Sequence, residues 1–280
     1  MTDQAPPEML YWYDEDPNFG DIIAPWMHTM ATGRRSVNVR LRGGTSERPG
    51  IVTIGSLLHE LDRPGHTVWG TGLICPIDEW IKAKLENAKP SRIEAVRGHL
   101  TSNELVNQLG WDIPQVFGDP ALLLPRYYRP RIRPELRDKI AVIPHYIHLD
   151  RFREMAPDTS IVLVDARQHP SKVIDAIASV ERVVSTSLHG VICAQAFGKP
   201  WVSLLLADSP LVGGSFKFED FFSNLDRDQV AAYSARLDDL SSPVLIDLSK
   251  FATLPRTLAD LDALDAAMPY GRSSTSSAAD

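Results

Sequence analysis

The sequence has little cysteine: two residues in 280, Cys75 and Cys193. They lie far apart, each in an apolar stretch, and neither sits in a metal-ligand spacing. That argues against a disulfide and for two buried free thiols in a reducing compartment. Long apolar runs are also lacking. No uncharged stretch approaches the ~20 residues that span a bilayer. The opening MTDQAPPEML lacks the basic-then-apolar order of a signal peptide. A cytoplasmic protein is expected. Excess positive charge is missing as well, with 29 Lys and Arg against 36 Asp and Glu, a net charge of −7. The basic residues are scattered apart from a group at 126–137, so no nucleic-acid face is expected. A few local cations would still suffice for a small anion. There is no Gly-x-Ser-x-Gly, no Walker phosphate loop and no internal repeat.

What is present is alternation. Apolar runs at 9–13, 51–54, 68–69, 92–97 and 116–117 read as strands. Helical segments fall at 21–31, with Asp21 as N-cap, at 76–88, with proline at its start, and at 99–109. Residues 125–134, rich in proline and arginine, read as a crossing. Strands then follow at 140–143, 161–165, 182–185 and 201–205, with helices at 170–179 and 188–197. Helical pattern resumes at 226–240 and 257–268, and the small polar tail 271–280 is expected to be disordered. Strands alternating with helices imply parallel sheets with covered faces. The expectation is an α/β protein of two Rossmann-like domains, residues 1–125 and 139–270, joined by a linker at 126–138 and facing a central cleft. Parallel sheets bind ligands beyond the carboxyl ends of their strands, so those loops hold the candidate residues.

Four loops stand out. In STSLHG, residues 185–190, hydroxyls of Ser185, Thr186 and Ser187 precede a helix starting near Leu188. A helix start offers unpaired N–H groups and partial positive charge to a phosphate or carboxylate. His189, in the first turn, would reach the same anion and move a proton near neutral pH. The same residues also suit an ordinary cap followed by a packed histidine. In DPNFGD, residues 16–21, Asn18, Gly20 and Asp21 offer a close backbone approach and polar groups, or an Asx turn. In AVRGHLT, residues 95–101, Arg97 ends a strand, where its planar fork suits an anion or a surface ion pair. In VIPHYIH, residues 142–148, His145 reads as a substrate contact and His148 as filler. No acidic or thiol partner lies near this pair, so no metal is expected. Two further segments carry weaker signals. Asp119 in FGDPALLLP would face the cleft or begin an Asp-Pro turn, and the aromatic FKFEDFFSNL, residues 216–225, reads as packing over the second domain.

Taken together, NFGD, WGTGL, VRGHLT, FGDPALLLP, IPHY and STSLHGVICAQAFGKPWVSL resemble the polysaccharide pyruvyl transferase family. The likeness runs from about Tyr11 to Leu225. It looks closest to the branch of ketal-forming enzymes of exopolysaccharide synthesis, such as succinoglycan. The resemblance implies a GT-B-like fold with an acceptor-side first domain and a donor-side second domain. It implies phosphoenolpyruvate as donor, no further cofactor, and a glycan acceptor that receives pyruvate as a cyclic ketal. A lipid-linked oligosaccharide acceptor would bring the protein to the inner face of the membrane. Many members read Arg-Leu-His-Gly where this chain has Ser187, Leu188, His189 and Gly190. The missing arginine shifts weight to Arg97, with Lys199 in reserve.

On this reading Arg97, Ser185, Thr186, Ser187 and Leu188 hold the donor, and His189 protonates it. Asp21 or His145 takes hydroxyl protons, and Asn18, Gly20 and Asp119 face the acceptor. Two other classes remain open. One is a nucleotide-sugar glycosyltransferase using Glu219 or Asp220 as the ribose contact. The other is a non-catalytic glycan-binding protein.

Overall fold

Two parallel five-stranded sheets organise the chain. The computed structural model describes residues 7–39, 48–155 and 158–270; the tail 271–280 lies outside them. Strands β1 (Glu8–Tyr11), β2 (Ser36–Asn38), β3 (Ile51–Val52), β4 (Thr67–Trp69) and β5 (Arg92–Ala95) form the first sheet, in the order β2-β1-β3-β4-β5. Strands β6 (Ile140–Ile143), β7 (Ile161–Leu163), β8 (Arg182–Ser185), β9 (Trp201–Leu206) and β10 (Ala232–Ala235) form the second, in the order β10-β9-β8-β6-β7. Both are Rossmann-like, and both have the same kind of strand order. The connections reverse direction between β1 and β3 in one sheet and between β6 and β8 in the other. At such a reversal two carboxyl-end loops diverge and leave a crevice.

The longer helices follow from local caps and apolar spacing. Helix α1 (Phe19–Thr32) has Asn18 at the N-cap position, and Asp21 lies inside the first turn, not at the cap. Helix α2 (Glu79–Glu86) starts later than Pro76 because the Asp78 carboxylate accepts from Ile81 N at 2.8 Å. Helix α3 (His99–Leu109) keeps its expected bounds and ends on Gly110, whose φ of 63° is the left-handed conformation of a glycine cap. Short helices α4 (Leu124–Tyr127) and α5 (Leu149–Arg153) precede α6 (Pro170–Ser179), which begins on its proline as expected. Helix α7 (Leu188–Ala196) is buried almost throughout. Helices α8 (Phe216–Phe222), α9 (Ser242–Ser249) and α10 (Leu261–Ala266) complete the chain.

Three readings change. Residues 226–240 are not a helix: Ala232–Ala235 pair in parallel with Ser203–Leu206 at the sheet edge. Only Leu261–Ala266 of the expected helix at 257–268 forms, because Asp260 caps it at Asp262 N and Ala263 N. Strand β2 had no sequence signal. Both cysteines are free, but Cys75 is only half-buried, with Sγ 3.5 Å from His59 Nε2.

One apolar cluster draws on both sheets and their helices. Leu10, Phe19 and Ile23 from the first half share it with Ile143, Val183 and Ile192 from the second. Each such side chain contributes about 1.5–3 kcal/mol on burial. Hydrogen bonds cross in the same region, from Phe19 N to Ala166 O at 2.7 Å and from Trp69 Nε1 to Leu264 O at 3.0 Å. The start of α1 is thereby held against the second half, which positions the loops described next.

Candidate active site

The loops at the two strand-order reversals line one cleft of about 320 Å³. The loop after β1 contributes Tyr13, Asn18 and Asp21, and the loop after β3 contributes Gly55 and Ser56. From the second half come His145 and Tyr146 after β6, and Ser187, Leu188 and His189 after β8. Lys217, on α8, also lines it. Asp16 ties the two sides at the rim: its Oδ2 accepts from Tyr13 OH at 3.1 Å and from Tyr146 OH at 3.2 Å.

His189 is held from two directions. Its ring meets Phe19 edge-on, with centroids 6.4 Å apart. Gly20 packs against the ring so closely that a Cβ there would overlap Nδ1. This close approach is what the glycine of NFGD provides, so Gly20 shapes the wall and does not present a group to an acceptor. The opposite ring nitrogen, Nε2, lies 3.7 Å from Asp119 Oδ2. Asp119 is fully buried behind His189 and is absent from the cleft wall, contrary to the expected acceptor contact.

The hydroxyl cluster before α7 divides in two. Ser185 Oγ donates within its own turn and accepts from Ser187 N at 3.0 Å, and a Cβ on Gly190 would overlap that hydroxyl. Thr186 Oγ1 accepts from His145 N at 2.8 Å. Both side chains are buried and shape the loop, leaving Ser187 and Leu188 to face the cleft. Ser187 stands at the N-cap position without a side-chain cap bond. His148 contacts Thr186 Oγ1 and Ser209 O through its two ring nitrogens, so it is a brace and not filler.

Arg97 does not reach the cleft. It is fully buried, and its fork is occupied: Nε donates to Asp220 Oδ2 at 2.8 Å, Nη1 to Ser56 Oγ at 2.6 Å, and Nη2 to Leu73 O at 2.6 Å. Asp220 also accepts from Thr101 N and Thr101 Oγ1, each at 2.7 Å. Asn224 Nδ2 donates to Arg97 O at 2.6 Å. Gly72 of WGTGL and Gly98 of VRGHLT serve this brace, since a Cβ on Gly72 would overlap the guanidinium and one on Gly98 would overlap Asp220 O. These motifs tie α8 to the first half, which the reading of residues 216–225 as packing on the second domain missed. The same brace occupies the carboxylate a nucleotide sugar would need at Asp220, and Glu219 pairs with Arg227 at 2.6 Å. Lys199 is also placed elsewhere, donating from Nζ to Val180 O at 3.0 Å beyond the far end of α7.

Among the described residues, Lys217 is the lysine or arginine that lines the cleft. It is 9% exposed, and burial, with Arg97 behind it, lowers its ammonium pKa to about 8, partly offset by Asp21. A lysine between Phe216 and Phe218 in an aromatic run was the signal that could have revealed it. His145 is pushed down to about 3, by burial first and then by Lys217, His148 and His189, so its imidazole is neutral at neutral pH. Burial lifts the Asp21 carboxyl above the usual range, opposed by His189, by the Asn18 amide at 2.8 Å and by Lys217. The cleft therefore combines a buried ammonium, a neutral and weakly basic imidazole, and a second imidazole at a helix start.

The model of the polysaccharide pyruvyl transferase family matches residues 57–207, more than half of the chain. The chain belongs to this family. Membership implies a transferase with a polysaccharide acceptor. The matched region takes in Arg97, Asp119, His145 and His189, and it lies between Asp21 and Lys217. The chain is also similar to an uncharacterized protein of Acanthamoeba polyphaga mimivirus, at 26% identity over 261 residues, 91% of this chain and 85% of that protein. Among the described residues, no helix is long and apolar enough to cross a membrane.

Proposed function

We propose that the protein transfers pyruvate from phosphoenolpyruvate to a sugar of an exopolysaccharide or other surface glycan, as a cyclic ketal, between two halves arranged as in GT-B enzymes. The observation that supports this most is the shared cleft, which gathers Lys217, His145 and His189 at both strand-order reversals. Lys217 supplies the positive charge that Ser187 lacks. The start of α7 adds backbone N–H groups for the donor's phosphate or carboxylate. Tyr13 and Tyr146, at the rim, flank the path of the sugar.

The proton balance closes with two imidazoles. His189, as imidazolium, protonates the methylene carbon, and a sugar hydroxyl attacks the carbon that becomes electron-poor. Attack on that carbon makes the hydroxyl's proton strongly acidic, so weakly basic His145 takes it and passes it to the departing phosphate as the carbon–oxygen bond breaks. A second hydroxyl of the same sugar closes the ketal, and its proton restores His189. Asp21, beside His189, stabilises the imidazolium.

The test is phosphate release from phosphoenolpyruvate with and without a glycan acceptor, with mass spectrometry of the glycan. Acceptor-dependent release with a ketal product is expected. Glycan glycosylated from a nucleotide sugar, without phosphate release, would replace this reading.

Lys217→Met is expected to weaken donor binding by about 10- to 100-fold, since a hydrogen bond to a charged group contributes about 1.5–3 kcal/mol. The sign of the pH effect follows from the lysine. Its charge, and with it donor affinity, falls as pH rises through about 8. Lys217→Arg should flatten that decline between about pH 7 and 9, because a guanidinium stays charged there. Donor titration by calorimetry across this range checks both, and a decline that persists in the arginine variant would remove Lys217 as its source.

A further inference from the structure

Two buried polar atoms in this molecule lack any hydrogen-bond partner and face each other: Asp119 Oδ2 and His189 Nε2, 3.7 Å apart. An unsatisfied buried acceptor costs about 1–3 kcal/mol, so the pairing needs a reason. Asp119 is rigidly placed. It is fully buried, and its other oxygen, Oδ1, accepts from Ala121 N at 2.9 Å. The histidine's opposite edge, Nδ1, lies over Gly20.

We propose that Asp119 is a positioning residue for His189: its carboxylate accepts a hydrogen bond from Nε2–H, fixes the ring and leaves Nδ1 as the working nitrogen. This rests on the reading of His189 as the acid. An approach of under ~1 Å brings Oδ2 and Nε2 within hydrogen-bond distance. No proton leaves Nε2 in the reaction. The proton given to the methylene carbon comes from Nδ1 and is restored there by the second hydroxyl, while Asp119 remains a carboxylate.

The charged surroundings are mixed. Asp21 on α1 and Asp119 on the segment after α3 are the carboxyl groups near His189. His145 is neutral, and Lys217 on α8 acts on Asp21 and His145. Cys193, on the buried side of α7, has its thiol pushed up by burial and then by Asp119, which places that carboxylate's field on this helix.

Nitrogen-15 NMR of the imidazoles tests the pair without reference to turnover. In the wild-type protein the neutral form of His189 should carry its proton on Nε2. In Asp119→Asn, whose side-chain oxygen can still cap Ala121, the side-chain amide faces Nε2 as a donor, and neutral His189 should carry its proton on Nδ1 instead. In the same variant turnover should fall by about 10- to 1000-fold with donor KM little changed. A neutral His189 protonated on Nδ1 in the wild type, or an unchanged tautomer in the variant, overturns the proposal. If phosphoenolpyruvate gives no turnover, the proposed reaction fails, while the tautomer of His189 still decides the role of Asp119.

Discussion

Arg97→Ala is expected to destabilise the protein by about 3–5 kcal/mol, the range for breaking one side of a buried ion pair. The substitution removes three donors at once and leaves Asp220, also fully buried, with only the two Thr101 groups for its charge. It also frees Ser56 on the cleft wall and opens a void beside Gly72. On thermal melting the shift should be on the order of 10 °C downward. Because α8 carries both Asp220 and Lys217, some loss of donor affinity should accompany it, through the displaced helix. The double variant Arg97→Met with Asp220→Leu should recover much of the stability, since an apolar pair of similar volume often replaces a buried ion pair at little cost. If Arg97→Ala melted like the wild type and lost only donor affinity, the brace would be a misreading and Arg97 would return as the donor's cation.

His189→Ala is expected to do the opposite: keep the fold and lose turnover by about 10²- to 10⁴-fold, the usual contribution of a general acid. The ring borders the cleft, so removing it enlarges an existing opening and does not create a sealed cavity. Its buried neighbours, Phe19 and Leu188, remain packed in the common core. The melting temperature should move little, and donor KM should change less than kcat because Lys217 still supplies the charge. Steady-state kinetics beside a melting curve separates these effects. Near-normal turnover in a folded His189→Ala protein would assign the protonation of the donor to another group.

These two substitutions show what the residue pattern could and could not reveal. The helix from Leu188 was legible because a strand, three hydroxyl residues and an apolar segment lie in one short stretch. Arg97 was legible as an arginine at a strand end, but its partner lies 123 residues away in sequence. Local pattern cannot distinguish a guanidinium facing a cleft from one sealed behind its wall. Lys217 was hidden for the converse reason. An aromatic helix reads as packing, and only the packing direction brings one of its residues into the cleft. The segment 226–240 failed because tertiary pairing overrode propensity: Ala232–Ala235 complete the edge of the second sheet beside β9.

Strand-and-helix alternation, the start of α7 after its hydroxyl residues and the family motifs were determined by the sequence alone, because each is written in residues close along the chain. Which cation faces the cleft, which arginine braces it and which carboxylate stands behind His189 were decided by the tertiary structure. Those relations join residues that chain folding, and not sequence proximity, brings together, and burial then determines which of them keep a charge that a ligand can reach.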